Sequence, residues 1–305
     1  MIDESIGINF GFDNGKFFVE YYPTSRPVGN FRQEFEKRAA DLYEKFPNLM
    51  LGLSSGIDSQ AVLHSFHSQG IDIECAFLYQ PGFNDVEYQQ LKIIEKKYNI
   101  KSDIVEIDPI KNKDEIVHLH QELHLPLNQI IHRKFLSMLP EDKNFIQGFP
   151  GPDFYLKNNK WYWLETANSW DVSRLRSLLT LERKGHVIGF ERTSEILLSL
   201  LTDETVKSYI YSFEYIKQNG LMMEDGSTIS FAYHWDLYIK PFFYGKLWKD
   251  KLEYFPKSQG CENIDYIING PKNQYLKNLV AIPYYELIDF LKTKDSEKRR
   301  FYEYQ

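Results

Sequence analysis

Six consecutive residues, Ser54-Ser55-Gly56-Ile57-Asp58-Ser59, combine hydroxyls, a glycine and a carboxylate in one short stretch. They follow the apolar run Leu49-Met50-Leu51-Gly52-Leu53, which reads as a buried parallel strand, and precede a stretch that reads as a helix from Ser59 to about Gln69. A turn of small residues between a strand and a helix lets backbone N–H groups converge on one concavity, backed by the positive end of the helix. That arrangement suits a phosphate. Ser54, Ser55 and Ser59 add hydroxyls, and Gly56 permits close backbone approach or a positive φ. Asp58 would repel a bare phosphate, so its presence points to a cation between the two, and a magnesium-bound polyphosphate resolves the conflict. The stretch has neither the Gly-Lys-Ser/Thr of a Walker loop nor the G-x-G-x-x-G of a dinucleotide turn. A plain reading stands beside this one: a polar turn in which Asp58 only caps the following helix.

The flanking pattern places this loop in an α/β fold. Ile6, Ile8, Phe10 and Phe12 alternate, Asp13-Asn14-Gly15 supplies a turn, and Phe17, Val19 and Tyr21 resume the period, which predicts an N-terminal β-hairpin. Asn30 then caps a helix whose stripe is Phe31, Phe35, Ala39, Leu42 and Phe46. After the loop come a strand at Ile73–Tyr79, a helix marked by Tyr88, Leu91, Ile94 and Tyr98, and a strand at Ile104–Ile107. Helices over 112–124 and 128–139 and a strand at Asn144–Gln147 continue the series. Such alternation predicts a parallel sheet with helices on both faces, with the loop at the carboxyl ends of the strands. Trp161-Tyr162-Trp163 reads as part of a hairpin, and the rest of the chain as mostly helical. The expected units are 1–28, 29–165 and 166–305.

Composition narrows the class. With 305 residues, 43% of them hydrophobic, the chain can bury a large core. Its 36 basic residues against 43 acidic argue against a uniformly basic nucleic-acid-binding face, leaving only a local groove. No apolar run approaches the roughly 20 residues that span a bilayer. Two cysteines, Cys75 and Cys261, provide no disulfide framework and no four-cysteine metal site. The expectation is a cytoplasmic protein acting on a small molecule, of open oligomeric state.

The segment Ser54–Ser59 resembles the S-G-G-x-D-S signature of the PP-loop ATP pyrophosphatases, with serine in place of the first glycine. Those enzymes cleave ATP to AMP and pyrophosphate while adenylating a substrate oxygen. The resemblance implies ATP and Mg²⁺ as ligands, with Ser54, Gly56 and Ser59 holding pyrophosphate and Asp58 binding the metal. Ser55 and Ile57 complete the loop. Leu53 and the strand end Phe77-Leu78-Tyr79 fall where the family binds adenine.

Within that superfamily the chain is similar to the synthetase domain of asparagine and β-lactam synthetases, on three features. These are the helix before the loop strand, the acidic segment Phe83-Asn84-Asp85-Val86-Glu87-Tyr88, and the late segments Ile239–Phe243 and Leu252–Lys257. Ile2 stands where the asparagine synthetases carry a catalytic cysteine, so no internal glutaminase is expected. Their G-E-G-x-D-E motif is echoed only by Gly148-Phe149-Pro150-Gly151-Pro152-Asp153, which makes Gly148 a ligand-binding candidate and Asp153 a second metal candidate. The loop has no lysine, so the charge that develops on the phosphates calls for a cation from elsewhere. Lys240 and Lys246 are the first candidates, Arg174 and Arg176 the alternatives.

The expected activity is AMP-forming ligation: activation of a carboxylate or carbonyl oxygen, then attack by a nitrogen nucleophile. The rivals are a sulfur-transfer or tRNA-modifying PP-loop enzyme and a nucleotide-binding module without catalysis. Asp85 and Glu87 serve equally well as acidic residues at a helix start. His118, His120 and His124 do not share one helix face, so a zinc site is not expected from them.

Overall fold

The apolar runs flanking the loop become the inner strands of a five-stranded parallel sheet. A computed structural model describes residues 8–14, 16–123, 127–148, 154–157, 160–166, 181, 183–190, 193–210, 240–255, 279–293 and 297–302. The sheet comprises β3 (Leu49–Gly52), β4 (Glu74–Tyr79), β5 (Ser102–Glu106), β6 (Asn144–Gln147) and β9 (Val187–Gly189), in the order β5-β4-β3-β6-β9. Every neighbouring pair is parallel. From β3 the chain first builds outward through β4 to β5, then returns to the other side of β3 for β6 and β9. The reversal falls between β3 and β6, and in an open sheet of this kind the crevice at their carboxyl ends is where ligands bind.

Alternating strand residues serve two cores. Leu51, Leu53, Cys75, Phe77, Ile146 and Ile188 face α1 (Phe31–Lys45), α2 (Ile57–Ser68) and α3 (Asp85–Tyr98). Met50, Ala76 and Phe145 face α4 (Lys113–Leu123) and α5 (Leu127–Met138). This is the period of two of a strand buried on both sides. The predicted α1 stripe is buried throughout, and Asn30 closes a capping box with Gln33. At Gly52 a Cβ would sit 2.6 Å from Phe145 Cζ, so the strand that delivers the loop has no room for a side chain at its last position.

Two antiparallel sheets flank this layer. The hairpin of β1 (Ile8–Asp13) and β2 (Lys16–Tyr21) gains a third strand, β11 (Arg299–Tyr302). A second hairpin, β7 (Phe154–Lys157) and β8 (Lys160–Thr166), gains β10 (Leu279–Pro283). Trp163 Nε1 donates to the Tyr21 hydroxyl at 3.0 Å and joins the two. The described remainder of the later chain is mainly helical: α6 (Ser194–Thr202), a helical stretch over 204–210, α7 (Lys240–Trp248) and α8 (Tyr284–Leu291). The fold is α/β and Rossmann-like, with a covered parallel sheet and an N-terminal hairpin. Strands β9, β10 and β11 were not read from the sequence; each is short and takes its place only by pairing with a strand far back in the chain.

Candidate functional site

The loop lies at the reversal point of the sheet. Leu53 N–H still donates to Ala76 O at 2.9 Å, carrying strand pairing one residue past β3. The chain then turns through Ser55, whose φ of 57° is left-handed, and enters α2 through Gly56 at φ −65°, ψ 156°. The positive φ therefore falls at Ser55, where the family signature has glycine, and a side chain there costs about 1 kcal/mol. Gly56 needs no special conformation. A Cβ on it would meet only Ser54 Oγ, at 3.4 Å, so what its missing side chain provides is open space above the helix start.

Ser59 is buried and uses its hydroxyl inside the turn: Oγ accepts from Ser54 N–H at 3.2 Å and donates to Gly56 O at 3.0 Å. Ser54 Oγ lies 3.3 Å from Ser59 Oγ, and Ser54 and Gly56 are exposed. The first N–H groups of a helix have no carbonyl partner within it, so the start of α2 offers donors toward these two residues. Gly148, at the end of β6, packs directly on this helix start: a Cβ there would lie 3.4 Å from Ser59 N and 3.6 Å from Asp58 C. The residues following β3 and β6 thus meet across the crevice.

Asp58, in the first turn of α2, forms an ion pair with Lys240, the first residue of α7. Their side chains are 20% and 5% exposed, so the contact is largely withdrawn from water. Lys246 is placed elsewhere: it is exposed and donates to Thr205 Oγ1 at 3.0 Å. Two lysines expected to act on phosphate are thus separated, because six residues along a helix bring a side chain round to a different face.

At the end of β4, Phe77 is buried in one core and Leu78 packs against the other. Tyr79 stacks on Tyr88 with ring centroids 4.6 Å apart and donates to Asp85 Oδ1 at 2.8 Å, a bond that raises the Tyr79 pKa. Asp85 also accepts Gly82 N–H at 3.1 Å, and Asn84 accepts Gln80 N–H at 2.7 Å and donates to Leu78 O at 2.8 Å. In this structure the acidic segment after β4 braces its own turn.

Two participants, Gln60 and Gln90, were not read from the sequence. Gln60 Nε2 donates to Ser55 O at 2.9 Å and to Glu253 O at 2.8 Å, and Ser55 Oγ donates to Gln90 Oε1 at 3.4 Å. A glutamine inside a helix carries no local signal for such contacts. Asp153, Arg174, Arg176, His124 and Cys261 lie outside the described residues. Among the described residues no three histidine, cysteine or acidic side chains gather as a metal site.

No family model and no curated protein matches this chain. Among solved structures it is similar to the NH3-dependent NAD synthetase of Campylobacter jejuni subsp. jejuni in complex with the nitrate ion, at 16% identity and a TM-score of 0.35. That likeness covers 75% of this chain and 100% of the other. A glutamine-dependent NAD+ synthetase from Acinetobacter baumannii in complex with ADP shows 12% identity and a TM-score of 0.35. It covers 94% of this chain and 55% of its own, so this chain spans about half the length of that protein. Neither is an asparagine or β-lactam synthetase, and at this TM-score neither likeness bears on activity.

Proposed function

We propose that the protein is an ATP-dependent, AMP-forming adenylating enzyme of the PP-loop kind. The observation that carries this reading is the turn Ser54–Gly56, exposed at Ser54 and Gly56, at the start of α2 and the reversal point of a parallel sheet, with Gly148 against it. In this reading Ser54, Gly56 and the N–H groups of Ile57, Asp58 and Ser59 take the β and γ phosphates. Ser55 and Ser59 shape the turn, and the adenine lies along Leu53 and Phe77-Leu78-Tyr79. The donor set fits magnesium held jointly with phosphate, since Mg²⁺ commonly takes one or two carboxylates and completes its shell with phosphate oxygens and water. Asp58 is one such carboxylate and Asp153 is proposed as a second; the metal would offset phosphate charge. Lys240 supplies the fixed cation that the loop itself lacks.

A substrate carboxylate or carbonyl oxygen attacks the α phosphorus, and the bond to the bridging oxygen breaks with release of pyrophosphate. The electron pair of a nitrogen nucleophile then forms a bond to the activated carbon, and AMP leaves with the oxygen. Positioning and charge stabilisation suffice, without a covalent enzyme intermediate. An asparagine synthetase-like transfer of nitrogen to the activated carbon is the finer form of this proposal.

The test is a screen of carboxylate and amide substrates for ATP-dependent pyrophosphate release, with Asp58→Asn as control. Appearance of ADP in place of AMP would refute α–β cleavage. A second reading, a nucleotide-binding module without chemistry, is favoured by the engagement of Asp58 with Lys240. It predicts Mg-ATP binding with no pyrophosphate from any substrate.

A further inference from the structure

Gln60 is fully buried and joins two stretches far apart in sequence. On one side Nε2 donates to Ser55 O at 2.9 Å. On the other, the amide exchanges two hydrogen bonds with the Glu253 backbone, Nε2 to O at 2.8 Å and N–H to Oε1 at 2.7 Å. Glu253 belongs to a strap that leaves α7 through the turn Lys249–Lys251 and runs on to Phe255. The strap is fastened again where the Tyr98 hydroxyl donates to Lys251 O at 2.9 Å. Helix α7 itself begins at Lys240, on Asp58. The phosphate turn and the element carrying its cation are therefore bolted together through one amide.

Ser55 is where this matters. A serine has no preference for a φ of 57°, so its conformation depends on what surrounds it. Its side chain is buried and its carbonyl is held by Gln60.

We propose that Gln60 is a positioning residue that keeps Ser55 left-handed and locks the turn to the 249–255 strap, so that the site is shaped before ligand arrives. The claim rests on the phosphate role of the turn. Gln60 contacts no ligand; it acts through Ser55.

The experiment uses the full chain, with amide hydrogen exchange over residues 54–59 and calorimetric titration with inorganic pyrophosphate and Mg²⁺. Gln60→Met preserves bulk and removes all three bonds. It should speed exchange across the turn and weaken pyrophosphate binding about tenfold, the equivalent of one buried hydrogen bond. Glu253→Ala removes the ion pair with Lys97 but leaves both backbone bonds, and should change neither quantity. Adding Ser55→Gly to Gln60→Met should recover part of the affinity, because glycine reaches positive φ unaided.

Unchanged exchange in Gln60→Met, an equal effect from Glu253→Ala, or no recovery with Ser55→Gly would each overturn the proposal. If Gln60→Met does not fold, Gln60→Glu retains the shape and turns an oxygen toward two carbonyls, with the same expected result. A wild-type chain that ignores pyrophosphate would remove the phosphate reading, whereas the exchange data would still decide the role of Gln60.

Discussion

The stretch from the hairpin sheet to the start of α1 and the loop crevice both bury carboxylates against cations, and they do it differently. Glu20, on β2, accepts from Arg300 Nε at 2.7 Å and Lys298 Nζ at 3.1 Å, and so fastens the last strand to the second. Glu34, on α1, pairs with Arg26 at 2.6 Å and Lys37 at 2.9 Å and accepts Gly29 N–H at 2.6 Å. Each of these acids has two cations. Burial pushes both carboxyls up, yet the hydrogen bonds from their partners outweigh it and leave them below their ordinary value of 4.5. In the crevice, Lys240 meets Asp58 in the first turn of α2, beside the exposed Ser54 and Gly56. A surplus of cation makes a fastener. An ion pair beside an exposed helix start is one that the proposed anionic ligand would reach.

Removing the crevice carboxylate should have the largest effect. Asp58→Asn should cut pyrophosphate release about 100-fold. It should also cost about 2 kcal/mol of stability, since buried Lys240 loses this counter-charge. Release assays and urea titrations on one preparation separate the two losses.

Glu34→Gln should do the reverse, costing about 2–3 kcal/mol in urea because two cations and an N–H lose their carboxylate. The partly exposed positions of Arg26 and Lys37 keep the loss at the low end, and Mg-ATP affinity should hold. A large drop in that affinity would erase the distinction between the two regions.

Acid should act on the fasteners. A carboxyl whose folded pKa is depressed contributes stability that is complete above the unfolded value and is lost as pH falls through the folded one. Urea midpoints should therefore hold from pH 7 to about 5 and fall below about 4.5, less steeply in Glu34→Gln than in the wild type.

The smallest effect belongs to Lys246→Ala. With that side chain on Thr205, release should stay within about twofold of wild type. A larger loss would bring the far end of α7 back into the site.

Much of this was legible in the sequence. The α1 stripe, the strands at 49–52, 74–79 and 144–147 and the loop between β3 and α2 all announce themselves within a dozen residues, through period, cap and turn chemistry. Strands β9, β10 and β11 did not, since three to five residues carry no period of their own and take strand form from partners such as Glu20 or Trp163. At the site, Asp58 and Lys240 were both named, for separate tasks; their pairing spans 182 positions and no local pattern encodes it. Ser55 was visible as a serine in a glycine's place, but its left-handed backbone was not.

The amino-acid order thus determined, unaided, that a parallel sheet forms and that a small-residue turn follows its first strand, because both depend on interactions among close neighbours. The folded molecule alone decided which cation meets Asp58, that Gly148 closes on the same helix start, and that Gln60 ties the turn to the 249–255 strap. Those outcomes depend on contacts of a few ångströms between residues up to 193 positions apart, and only the packing of helices onto the sheet brings such residues within hydrogen-bonding reach.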